Sequence, residues 1–325
     1  MRVLARRMGA SYTIHEVMID RFVNQLTNRK RTERFTRVTE EEHPVAAQLM
    51  GADPDEFGQA ATKLVNAGFD VIDVNFGCPV KKMLGRCRGG FHLSDPKTAL
   101  QILGRVRDSV PDGIPVTLKM RRGIDDSQAS VDQFYAILDA AIQTGYAAIT
   151  VHGRTVQQKY IGTSSWKFLR EVKQYAGAHT ILGSGDLFSA QCCVDMLTFT
   201  GVDGVSIARG AIGNPWIFSR LEALLAGKPL PEPPTVLEQR AVLEEHHALT
   251  LEIHNPEKSV SRMRRFAIYY SRLHPNHQQV RTAFTKVRTL DDWNSMLRDH
   301  YNDDRPGQHP PVDVPNELAT TGSLT

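Results

Sequence analysis

The sequence predicts an α/β protein: a TIM (β/α)8-type barrel lacking its first strand, with a C-terminal helical domain. Three observations predict it. From Pro44 to about Leu225, short apolar runs alternate with amphipathic stretches, the pattern of a parallel sheet covered on both faces. Polar residues gather at the C-terminal ends of successive runs, where a barrel builds its active site. After Leu225 the strand signals stop and helical patterns take over.

In chain order, Arg2–Met8 reads as a helix, with Gly9 as its C-terminal cap. His15–Ile19 is the first candidate strand. The apolar runs Pro44–Met50, Phe69–Phe76, Pro115–Met120, Ala147–His152, His179–Gly183 and Val202–Ala208 follow, making seven strands. Between the first two runs of this series, Asp53–Asn66 is helical, with an Asp cap and Pro54 in the first turn. A closed barrel of this type has eight strands, and a seven-stranded version leaves two unpaired edges. The missing member is expected to be the first and to lie upstream of Met1. A doubly wound open sheet is the alternative, and the polar strand ends favour the barrel. The expected domains are a barrel over 1–228, a proline-rich linker over 229–234, a helical domain over 235–303 and a loose tail over 304–325.

Composition excludes several classes. With 41% hydrophobic and 23% charged residues among 325, the chain is ordinary and globular. Four cysteines do not make a disulfide framework, and a reducing, cytoplasmic setting is expected. No cysteine–histidine cluster has metal spacing, so no metal is expected. The absence of an 18-residue apolar run predicts no membrane partner. A net charge of +3 is too small to diagnose a nucleic-acid partner by itself. The chain is expected to act as a monomer.

The strand ends carry the candidate chemistry. Phe69–Phe76 runs into Asn75-Phe-Gly-Cys-Pro79, which puts Cys78 on a turn at the barrel mouth with Lys81, Lys82 and Arg86 nearby. Such neighbours tune a thiol; the competing reading is a small buried hydrophobe. Cys87, Cys192 and Cys193 lack that placement and are expected to pack. Lys119 and His152 end the next two strands, and Gln48 and Asn75 occupy equivalent positions. Taken singly, each is an ordinary polar residue; their convergence favours a site. The last two units lead to Ser184-Gly-Asp186 and to Arg209-Gly-Ala-Ile-Gly213, loops of the kind that bind phosphate in barrels. Ordinary turn glycines are the plainer reading. In the helical region, Arg262 to Arg288 holds seven Lys and Arg residues and no acid, with Phe266, Tyr269, Tyr270 and Phe284 interleaved. The charges suit a phosphate backbone, whereas the aromatics read as core.

The runs Asp73-Val-Asn-Phe-Gly-Cys-Pro-Val-Lys-Lys82, Leu118-Lys-Met-Arg-Arg-Gly123, Val151-His-Gly-Arg-Thr155 with Tyr160-Ile-Gly162 and Trp166, and Ile207–Trp216 resemble the signatures of tRNA-dihydrouridine synthases. The resemblance spans roughly Arg2 to Tyr301. It implies an FMN-binding TIM barrel followed by a helical tRNA-binding domain, with NADPH (or NADH) reducing FMN and leaving before tRNA binds. By resemblance, Cys78 gives a proton to uridine C5 while hydride reaches C6. Gln48, Lys119 and His152 match flavin contacts, and Ser184, Gly185, Asp186, Ala208 and Arg209 match ribityl and phosphate contacts. Asn75 matches a contact to the target base; Arg154, Arg264 and Arg265 are the further substrate contacts expected. Three departures are visible. The chain begins after the family's Ala-Pro-Met-x-Gly strand and loop. Ser184 and Ala208 stand where Asn and Gly are commoner, and Phe91-His92 replaces smaller residues. Two other functions fit less well: a barrel reductase of a small pyrimidine, and a tRNA-binding relative without activity.

Overall fold

The computed structural model describes residues 1–27 and 35–310. Its sheet comprises β1 (Thr13–Ile14), β2 (Met18–Ile19), β3 (Val45–Met50), β4 (Val71–Phe76), β5 (Val116–Arg121), β6 (Ala148–His152), β7 (Ile181–Ser184) and β8 (Gly204–Ser206). Every pairing is parallel, and from β3 to β8 each strand pairs with the next in sequence. This order decides between the two architectures. A doubly wound sheet reverses its strand order at a switch point, whereas here the order runs one way throughout, as in a barrel. No pairing joins β8 to β1 or β2 among the described residues. The result is a TIM-barrel-like arc of seven strand positions.

The expected strand His15–Ile19 is instead two short pieces, and both pair with β3. Ile14 lies opposite Ala46 and Met18 opposite Leu49. Four steps of chain therefore face three, and the surplus residue interrupts the ladder around His15.

Along the other strands the side chains alternate. Leu49, Ile72, Val74, Leu118, Met120, Ile149 and Val151 are fully buried, as expected of a face covered by helices. The opposite face carries Gln48, Asp73, Asn75, Thr117, Lys119, Thr150, His152, Ser184 and Ser206. The barrel interior is thus polar on one side of a period-2 pattern. The covering helices start with local caps. Asp53 accepts from the Asp55 and Glu56 amides at 2.9 and 3.3 Å ahead of Pro54–Asn66. Asp95, Ser127 and Ser165 cap Pro96–Ser109, Gln128–Gln143 and Trp166–Ala176. Each such cap is worth about 1 kcal/mol.

The chain divides into two compact units. Among the described residues, the strands belong to the one formed by residues 11–186 and 195–206; the other gathers residues 1–10, 187–194 and 207–310. The expected boundary at 229–234 therefore lies inside the second unit. That unit packs Val236–Leu251, Pro256–Tyr270, His277–Lys286 and Leu290–His300 around Trp293, Tyr270, Phe284 and Tyr301. Leu4, from the opening helix Arg2–Arg7, is buried in the same core. Gly9, at φ +95°, ends that helix much as expected. The segment expected to be loose after Asp303 is pinned as far as it is described. The Val236 amide bonds Arg305 O at 3.0 Å, and the Gln308 amide bonds Leu273 O at 2.8 Å. A Cβ on Gly307 would lie 2.1 Å from Pro234 O, so only glycine permits this approach. The remainder of the expected tail, 311–325, lies outside the described residues. No helix among the described residues is long and apolar enough to cross a membrane.

Candidate active site

Parallel register brings the interior polar residues into rows. Gln48 lies opposite Asp73, and Asp73 opposite Thr117. One row further on, Asn75 faces Lys119 and Lys119 faces Thr150. Beyond these, Arg121 faces His152, His152 faces Ser184, and Ser184 faces Ser206.

The first two rows are joined by one hydrogen-bond chain. The Thr117 hydroxyl donates to Asp73 Oδ1 at 2.6 Å, and Gln48 Nε2 donates to Asp73 Oδ2 at 2.7 Å. Asn75 Nδ2 donates to Gln48 Oε1 at 2.7 Å, and the Gly77 amide donates to Asn75 Oδ1 at 2.9 Å. Asp73 is only 1% exposed. Burial raises its carboxyl to about 6, against the hydrogen bonds from Thr117 and Gln48 and the charge of Lys119, which pull it down. Burial also lowers Lys119 to about 8, with Asp73 opposing and Arg121 adding to the fall. The Tyr12 hydroxyl is pushed up by burial and by Asp73. An acid and a base whose titrations burial moves toward neutrality are characteristic of functional interiors.

Among the described residues, the Lys119 ammonium makes one hydrogen bond, donating to Ser184 Oγ at 3.3 Å. Ser184 Oγ in turn donates to Ser206 O at 3.3 Å. An ammonium carries three protons, so donors remain for a ligand. His152 Nδ1 accepts the Arg154 amide at 3.1 Å, which in a neutral ring puts the proton on Nε2. Gly185, at φ +117°, passes close to the same ring. A Cβ there would meet Ser164 Oγ at 2.4 Å and His152 Cε1 at 3.3 Å.

Cys78 is half-buried on the turn after β4. The Gly90 amide donates to Cys78 O at 3.1 Å, folding the intervening loop back onto the turn. Gly89 makes that return possible: its φ is +60°, and a Cβ would fall 2.7 Å from Cys78 Cβ and 2.9 Å from Met50 Sδ. Arg121 braces the turn from below, with Nε donating to Gly77 O at 2.9 Å and Nη1 to Thr155 O and Lys159 O at 2.8 Å each. Lys81, Lys82 and Arg86 are exposed on the returning loop.

The remaining expected residues fall in different places. Arg154 and Asp186 form a buried ion pair at 2.6 Å, and the Ser164 amide adds a 2.8 Å bond to the same carboxylate. Arg154 also donates to Gly162 O, while its Nη1 is buried with no hydrogen-bond partner among the described residues. Ala208 and Arg209 follow β8 and belong to the helical unit, where both are exposed. The Arg209 guanidinium lies 5.0 Å from the Phe188 ring centre. Gly210 fits only as glycine, since a Cβ would meet Leu187 O at 1.9 Å. In the helical unit Arg264 is half-buried and donates to Val287 O at 3.3 Å, whereas Arg265, Arg262, Arg281, Lys286 and Arg288 are exposed. Tyr270 and Phe284 are core, as the plainer reading of the aromatics holds, but Tyr269 is exposed, with the Arg272 guanidinium 4.9 Å from its ring centre. Cys192 and Cys193 are buried, as expected. Cys87 is not a packing residue: it is exposed at φ 54°, on the outer bend of the Cys78 loop.

Sequence reasoning overlooked Asp73, Thr117, Tyr12 and Ser164. A signal did exist for Asp73, an ionisable residue two positions before Asn75 inside an apolar run and therefore on the same strand face. Nothing local marks Ser164, which acquires its partners from residues 20 and 22 positions away.

Comparison with known proteins gives a consistent result. The sequence model of the family described as dihydrouridine synthase (Dus) matches residues 1–304. A Mycobacterium tuberculosis (strain ATCC 25618 / H37Rv) protein named probable tRNA-dihydrouridine synthase is 35% identical over 271 residues, 82% of this chain and 68% of its own. The tRNA-dihydrouridine synthase B of Xanthomonas campestris pv. campestris is 31% identical over 313 residues, 96% of this chain and 91% of its own. Among solved structures, histamine dehydrogenase from Rhizobium sp. 4-9 matches with a TM-score of 0.52 at 11% identity, over 70% of this chain and 42% of its own. Morphinone reductase matches at 0.50 and 15% identity, over 71% and 82%. At these identities the structural likeness is one of fold.

Proposed function

Because the chain belongs to the dihydrouridine synthase family, we propose that it reduces the C5–C6 double bond of a uridine in tRNA, with FMN as its flavin and NADPH (or NADH) as the electron source. The observation that carries this reading is the half-buried ammonium of Lys119, with donors to spare, on the same polar interior as Gln48, Asn75 and His152 and one strand away from the turn that bears Cys78.

The residues present fit a bound flavin. Lys119 offers a positive charge and N–H groups that bond no described residue, and Arg154 Nη1 is a buried donor with no partner among the described residues. Ser184, Gly185 and Asp186 would hold the ribityl and phosphate groups. When bound, the flavin supplies hydride to C6 of the uracil ring. Cys78 supplies the proton that C5 needs, its S–H bond breaking as C5–H forms, and the thiolate regains a proton from solvent. A thiol suits this step because it holds its proton at neutral pH and gives it up readily to a carbanion. Asn75 would orient the uracil edge. The target base must leave its stack to reach the pocket, and the acid-free stretch containing Arg264 and Arg265 would hold the RNA backbone. That stretch favours tRNA over a free pyrimidine.

The test combines purified protein, FMN, NADPH and tRNA lacking dihydrouridine, followed by digestion and mass spectrometry of the nucleosides. Dihydrouridine should appear at a defined position. Reduction of free uracil or uridine with no modification of tRNA would overturn the assignment.

A further inference from the structure

Among the groups that the proposed chemistry leaves unused, Asp73 is the one whose surroundings dictate a role. The hydrogen-bond chain that ends on it has a fixed direction. The Gly77 N–H can only donate, so the Asn75 atom facing it is Oδ1. Asn75 must then turn Nδ2 toward Gln48, and Gln48 must present Oε1 to it. Gln48 Nε2 is therefore left facing Asp73, and the atom there must accept. At the other oxygen, Thr117 donates. A proton on Asp73 Oδ2 would set two donors face to face. Two amide side chains that would otherwise flip freely are thus locked from both ends, by a backbone amide and by a carboxylate.

We propose that Asp73 is a positioning residue for the reaction: by accepting from Gln48 it fixes the amide orientation of Gln48 and Asn75, and through them the Gly77 amide at the start of the Cys78 turn. This inference rests on the reading of the barrel mouth given above. Its consequence is that Asn75 and Gln48 offer their remaining donors and acceptors to ligands in one arrangement only. That matters for a uracil edge, where acceptor, donor and acceptor alternate. The rival role for Asp73 is simply to balance the charge of Lys119.

Asp73→Asn, Asp73→Ala and Gln48→Leu separate the two. An asparagine keeps an acceptor for Gln48 and can donate to the Thr117 oxygen, so it preserves the chain while losing the charge. Alanine loses both. Gln48→Leu breaks the chain while leaving Asp73 beside Lys119, and it supplies an answer should Asp73→Ala not fold. Two readouts are measured in the FMN-loaded proteins: hydrogen exchange of the Gly77 amide, and single-turnover reduction of tRNA. In Asp73→Ala and Gln48→Leu, Gly77 exchange should accelerate at least about 10-fold, and reduction should slow about 100-fold, as for a misplacement near 1 Å. Asp73→Asn should leave both within about threefold, because its hydrogen bonds survive. The proposal is overturned if Asp73→Asn behaves like Asp73→Ala, which would assign the role to charge. It is equally overturned if Gly77 exchange does not change in Gln48→Leu. Failure of the wild type to reduce any tRNA would instead sink the proposed function, while Gly77 exchange would still decide the role of Asp73.

Discussion

Replacing Asp73 by asparagine isolates the electrostatic cost of the barrel interior, and the size of that cost follows from the structure. Burial raises the Asp73 carboxyl from 3.8 to about 6. An acid whose folded value lies above its unfolded value holds its proton more tightly when folded. Stability is therefore present below pH 4 and is lost as pH rises through about 6. Once ionised, Asp73 costs about 3 kcal/mol relative to its protonated form, since each pH unit of displacement is worth about 1.4 kcal/mol. The attraction to Lys119 is already contained in that value, so no separate correction is needed. Roughly half of the cost is present at pH 5 and nearly all of it at pH 7. Asparagine mimics the protonated acid. The stability difference between Asp73→Asn and wild type should therefore widen by about 1.5 kcal/mol between pH 5 and pH 7, in favour of the variant. Urea unfolding at both pH values, with free FMN held constant, measures it, because a bound ligand shifts apparent stability by mass action. A difference that stays flat with pH, or widens in the opposite sense, would refute the reasoning.

The other predictions concern chemistry and binding. Cys78→Ala should retain its flavin absorbance but lose at least about 100-fold in tRNA reduction, the scale of a missing general acid; full modification by this variant would remove Cys78 from the mechanism. Lys119, lowered to about 8 by burial, should lose its charge as pH passes that value. Flavin affinity, followed by fluorescence quenching, should accordingly weaken above pH 8 in the wild type and show no such limb in Lys119→Met. Gly185→Ala forces a Cβ to 2.4 Å from Ser164 Oγ at φ +117°. It should cost about 1–3 kcal/mol of stability and lower the flavin content of the purified protein. Arg265→Ala should reduce the slope of log affinity for tRNA against log salt by about 0.7–0.9, and an unchanged slope would place the RNA elsewhere.

Much of the barrel was legible in the chain because its signals are local. Apolar runs such as Val71–Phe76 announce strands, and Asp53-Pro54 announces a helix start with a cap that the structure confirms. Cys78, Lys119 and His152 stood out because each closes such a run. The surplus residue between Ile14 and Met18 was invisible, because it exists only relative to Ala46–Leu49 on the neighbouring strand. Nor could composition reveal that residues 304–310 are pinned. Their partners, Pro234, Val236 and Leu273, lie tens of residues away, and the approach depends on one missing Cβ at Gly307.

By itself the sequence determined the strand and helix succession and the polar strand ends, all properties of residues close together in the chain, while the one-way strand order was settled by the pairings. Only the tertiary structure decided which polar groups meet. Asp73 and Gln48 are 25 residues apart, and Arg154 and Asp186 are 32 apart. Both pairs form because parallel register and curvature bring adjacent strands and loops into line, and burial then moves Asp73 and Lys119 toward neutral titration. Pairing across the sheet and exclusion of water are cooperative properties of the folded chain, so no window of sequence contains them.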